Sequence, residues 1–71
     1  MFTAYRTVLR YGREEDPTDT TQKQYATADQ AIAYVKRYAK GIRFVNAAVE
    51  DESGRLIFEI VDYGSKTNDL R

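Results

Sequence analysis

The stretch Thr27 to Gly41, TADQAIAYVKRYAKG, constrains this chain more than any other. Thr27 is placed to cap a helix by accepting a backbone N–H, and Gln30 three residues on completes a capping-box pattern. Ala28, Ala31, Ile32, Val35 and Ala39 form one apolar stripe at 100° per residue, with Tyr34 and Tyr38 extending one flank. Asp29, Gln30, Lys36, Arg37 and Lys40 occupy the other side. The cations at the far end complement the helix dipole, and Gly41 stands where a left-handed residue ends a helix. The spacing predicts a helix over roughly 28–40, lying by its small residues close against a sheet.

The sheet is read from the flanks. Phe2 to Tyr11, FTAYRTVLRY, is rich in β-branched and aromatic residues and predicts a strand. Its alternating faces are Thr3, Tyr5, Thr7, Leu9, Tyr11 and Phe2, Ala4, Arg6, Val8, Arg10. The first set is expected to be the buried one, because the second carries two arginines. Thr21 to Ala26 predicts a short polar edge strand in which Lys23 discourages edge-to-edge pairing. Ile42 to Glu50, the turn Asp51 to Gly54, and Arg55 to Tyr63 predict a hairpin. In its last strand Leu56, Phe58 and Ile60 alternate with Ile57, Glu59 and Val61. The expected fold is α+β: a two-layer sandwich, with an antiparallel sheet of three to four strands, one helix on one face, and the order β-β-α-β-β. Residues 1–64 are expected to form the single domain and residues 65–71 a flexible tail.

Composition narrows the chemistry. The 71 residues include no cysteine and no histidine. That removes disulfides, thiol nucleophiles, the usual zinc ligands and the commonest general base. Ser53 and Ser65 are the only serines, and no imidazole is present to activate either. Acidic runs occur at Glu14, Glu15, Asp16 and at Glu50, Asp51, Glu52, in turn sequence where carboxylates are solvated alike. No catalytic residue, cofactor site or metal site is therefore expected. The Gly12–Thr21 loop is expected to be a solvated, expendable connection. Nothing resembles a membrane span or a signal peptide, which points to a soluble cytoplasmic protein without a membrane partner.

Eleven cations balance eleven acids, which argues against a broad polyanion footprint. The charges nevertheless come in sequential blocks of opposite sign. One expectation follows from the strand patterns. If a single helix covers one sheet face, the other is left with Phe2, Ala4, Val8, Ile57 and Val61 among Arg6, Arg10 and Glu59. Soluble monomers rarely expose such patches. The expected function is thus a small non-catalytic protein-binding module of adaptor or inhibitor type, self-associating as a homodimer or holding a protein partner. Its contact residues would be Arg6, Val8, Arg10, Ile57, Glu59 and Val61. The alternative is a nucleic-acid-binding accessory protein using Arg6, Arg10, Lys36, Arg37, Lys40 and Arg43, where cations interleave with tyrosines.

Overall fold

The computed structural model describes residues 1–13 and 15–71. Five strands and one helix follow in the order β1 (Phe2–Leu9), β2 (Thr18–Tyr25), α1 (Ala28–Tyr38), β3 (Phe44–Glu50), β4 (Leu56–Val61) and β5 (Lys66–Asp69). They form one antiparallel sheet with the spatial order β2-β1-β3-β4-β5. The fold class is α+β, as the alternation of strand and helix patterns predicts. The sheet has five strands rather than three to four. The fifth comes from the segment expected to be a tail: Lys66–Asp69 pairs with Val61–Phe58, and the Leu70 N–H donates to the Ile57 carbonyl at 2.9 Å.

Helix α1 starts as its cap dictates, with the Thr27 hydroxyl accepting from the Gln30 N–H at 3.2 Å. It ends at Tyr38, earlier than the periodicity suggests, and Gly41 then turns the chain with φ 97°. Ala31, Ile32 and Val35 are its buried positions. They meet Ala4, Phe44, Ala47, Val49, Ile57, Phe58 and Ile60 from the sheet in one core. Ala4 and Ala31 are fully buried, and Ala47 nearly so. Their small side chains let the helix backbone approach β1 and β3. Phe44 and Phe58 supply the bulk, each adding roughly 1.5–3 kcal/mol by burial.

Two bulges shift the alternation within strands. Thr7 pairs with Asn46 but Val8 with Phe44, so Val45 is an extra residue. Val49 pairs with Phe58 but Glu50 with Leu56, so Ile57 is extra. A bulge lets two neighbours share one side. Ile57 thereby joins Phe58 in the core, and Leu56 moves to the opposite face beside Glu50. The single turn Asp62–Gly64 leads into β5 with three left-handed residues in a row, at φ 54°, 58° and 95°. Two of the three, Asp62 and Tyr63, are not glycine, and Tyr63 is the bulkier exception to the usual steric rule.

Candidate functional site

The face of the sheet away from α1 is built from residues that stand side by side in register. Gln22, Tyr5, Ala48, Glu59 and Asn68 form one row across all five strands. Within and beside this row three pairs of polar groups are already bonded to one another. The Tyr5 hydroxyl donates to a Glu50 carboxylate oxygen at 3.0 Å, and the Asn68 amide donates to Glu59 at 2.9 Å. The Thr7 and Thr20 hydroxyls share a bond of 2.9 Å. Tyr5 is held above its ordinary pKa, first by the hydrogen bond to Glu50, then by burial and by that carboxylate's charge. Between the pairs lie Ala48, Leu56 and Val61, all half-buried.

This face differs from the one the sequence suggested, because the two faces of β1 are exchanged. Ala4 is fully buried under the helix, while Tyr5 and Thr7 stand on the open side. Arg6 is in register with Ala47, and Val8 with Phe44, on the helix-covered side. Ile57 is a core residue, 8% exposed. Arg10 lies past the end of β1, bound to Asp19 at 2.8 Å. Of the six expected contact residues, only Glu59 and Val61 fall on the open face. The expected pairing of Arg6 or Arg10 with Glu59 gives way to Asn68–Glu59 and Arg10–Asp19. Tyr11, expected to be buried, is 72% exposed, whereas Leu9 is buried as anticipated.

The cations of the alternative set are dispersed, and most are engaged within the fold. The Arg6 guanidinium sits 5.7 Å from the Tyr38 ring centre, as does that of Arg37. Arg6 Nε is buried without a hydrogen-bond partner among the described residues. Lys36 lies 5.6 Å from the Phe58 ring. Arg43 donates to the Leu9 carbonyl at 3.1 Å and also to the Arg10 carbonyl, tying the helix–β3 turn to the end of β1. Lys40 is exposed. Tyr25, Tyr34 and Tyr38 make a row along the helix flank, with ring centres 5.5 and 5.1 Å apart and planes tilted by 41° and 52°. Lys23 stands over both Tyr25 and Tyr34 at 5.6 Å. These ring faces therefore already carry cations.

The acidic loop is organised, which its composition did not reveal. Asp16 accepts the backbone N–H groups of Tyr11 at 3.1 Å and Arg13 at 2.8 Å. Glu14 lies outside the described residues. Asp51 plays a similar part in the β3–β4 turn, accepting from the Ser53 hydroxyl and the Ser53 and Arg55 amides, and these bonds hold its pKa down. A feature absent from the sequence reading is an open depression of about 440 Å³ lined by Phe2, Ala28 and Ile57, with Asp51, Glu52, Ser53 and Arg71 around it. No cluster of metal-ligating side chains occurs among the described residues, nor a helix long and apolar enough to cross a membrane.

Comparison of the chain with protein-family models, with curated proteins and with solved structures returned no match.

Proposed function

We propose that this chain is a small non-catalytic protein-binding module of the adaptor or inhibitor kind, and that its open sheet face is the docking surface. The observation carrying this reading is the arrangement of Ala48, Leu56 and Val61 between polar groups that are already hydrogen-bonded to one another. A partner that covers this face desolvates apolar area without stranding Tyr5, Glu50, Glu59 or Asn68, because their bonds persist inside the contact. Interfaces combine an apolar centre with a polar surround in this way. The basic alternative has less support, since Arg6, Arg10, Lys36, Arg37 and Arg43 all have contacts within the fold.

The test is affinity capture on the immobilised chain, followed by amide-exchange mapping of the captured complex. Val61→Lys replaces an apolar residue of the face, at the end of β4, with a charge. It should abolish capture while leaving the far-UV circular dichroism unchanged. The complex should protect amides of β3 and β4. Undiminished capture by Val61→Lys would refute the reading. Retention on a polyanion column with steep salt dependence would replace it with nucleic-acid binding.

A further inference from the structure

The edge strand β2 carries an inference of its own. Arg10 N–H donates to the Pro17 carbonyl at 3.0 Å, in the same register that pairs Leu9 with Thr18 and continues without a break to Phe2 and Tyr25. Antiparallel ladders alternate between positions that exchange hydrogen bonds and positions that do not. Stepping by two from Arg10–Pro17, the backbones of Asp19, Thr21, Lys23 and Tyr25 turn toward β1. Those of Thr18, Thr20, Gln22 and Gln24 turn outward, along the end of the sheet order. The side chains of that outward set lie on the open face, as the Thr7–Thr20 bond shows.

A two-fold antiparallel pairing of β2 with itself must match outward positions with outward ones, so its axis passes through a residue. Centred on Lys23, it sets the ammonium against its own copy. Centred on Gln22, it sets Asp19 against Tyr25. Centred on Thr20, it sets Asp19 against Thr21 and Lys23 against Pro17. Centred on Thr21, it sets Asp19 against Lys23 twice over, Thr20 against Gln22, and Thr18 against Gln24. Asp19 and Lys23 are the only charged residues of β2, and this register alone opposes them. Asp19 accepts from Arg10 through both oxygens, which leaves lone pairs for a second cation. A lysine on an edge strand ordinarily prevents pairing. Here it selects one register.

We propose that two copies of this chain join edge to edge through β2, centred on Thr21, into a continuous ten-stranded sheet. The axis stands perpendicular to the sheet, so both helices share one side and both open faces the other. The contact is separate from the docking face proposed above and does not depend on it.

Sedimentation equilibrium tests it. The wild type should be a concentration-dependent dimer, and Val61→Lys should dimerise equally well. Gln22→Pro removes an N–H that points away from β1, so it should give a monomer with an unchanged far-UV spectrum. Lys23→Glu opposes acid to acid and Asp19→Lys opposes cation to cation. Each alone should weaken the dimer about tenfold or more, and an equimolar mixture of the two should restore it, because every cross-pair is then complementary. A wild type that stays monomeric at millimolar concentration overturns the proposal. So does a dimer that survives Gln22→Pro, or a mixture that does not re-associate. Loss of the dimer in Val61→Lys alone would move self-association to the open face and equally overturn it.

Discussion

The two edges of the sheet are built differently. On one side β2 runs for eight residues, Thr18–Tyr25, most of them exposed, joined to β1 along its whole length. On the other β5 has four residues, Lys66–Asp69, entered through the left-handed turn Asp62–Gly64. Asp69 is gripped by Arg71 at 2.8 Å, and Arg71 reaches across to Asp29 at the start of the helix at 3.1 Å. Short, charged strands are how proteins close an edge. The β5 edge has these features, whereas β2 is long, regular and rich in threonine and glutamine. The difference teaches that an edge is read by its neighbours as much as by its own residues. β5 is paired with Phe58 and Ile60 of β4, two core residues, while β2 meets the helix through its own half-buried Tyr25 against Tyr34.

The largest effect that bears on this contrast is in the core. Phe58 is 2% exposed and pairs with Val49 on one side and Asp69 on the other. Phe58→Ala should lower stability by about 3–5 kcal/mol in urea unfolding, since the surrounding helix and strands close only part of the cavity. Tyr25→Ala, at the half-buried β2 side, should cost distinctly less. Equal losses would mean that the β2 flank is as firmly packed as the β4 flank, and the contrast would fail.

The same contrast shows what could be read from the residues and what could not. Helix α1 was legible, because cap, stripe and terminal cations all lie within one local stretch. So were the strands β1, β3 and β4, from their β-branched and aromatic runs. The faces of β1 were not. Arg6 marks its face as solvent-exposed by type, yet its long side chain lies under the Tyr38 ring while Ala4 on the same face is fully buried. Ile57 was misplaced for another reason: strict alternation cannot register a bulge, and a bulge is a property of two strands together. β5 has no apolar periodicity in KTND, because its support is ladder bonding to β4 rather than a buried stripe. Of the six expected contact residues, Glu59 and Val61 lie on the face that alternation assigns them, because they stand beyond the bulge.

A smaller effect sharpens the contrast at the hairpin that feeds β2. Asp16 holds two backbone amides, whereas Glu15 is exposed and has no such bonds among those described. Asp16→Ser should cost roughly 1 kcal/mol, the scale of exposed hydrogen bonds, and Glu15→Ser close to nothing. Thermal unfolding of the two variants side by side checks this. Equal melting temperatures would return the whole loop to the status of an expendable connection.

The smallest effect separates the edges by pH. Asp69 is held at a pKa of about 2 against an ordinary 3.8, chiefly by the side-chain hydrogen bonds from Arg71, then by the Arg71 backbone N–H and the charges of Arg71 and Lys36. A carboxylate whose folded pKa is depressed stabilises the fold above its unfolded pKa. That contribution disappears as pH falls through the folded value. The β5 anchor is therefore complete at pH 5 and above by this reasoning, weakens below about 4, and is gone near 2. Asp19, on the β2 side, is also lowered, first by its hydrogen bond to Arg10. It anchors only one end of a strand otherwise bonded to β1 throughout. Both ion pairs are well exposed, so the global melting temperature should move little for either. The local response should differ. In an acid titration followed by NMR, the Asp69 carboxyl should titrate near 2. The Leu70 amide, bonded to the Ile57 carbonyl, should lose exchange protection across the same window, while the Thr21 and Lys23 amides keep theirs. An Asp69 midpoint near 3.8 would show that Arg71 does not hold it in solution, and the β5 edge would then be no better closed than β2.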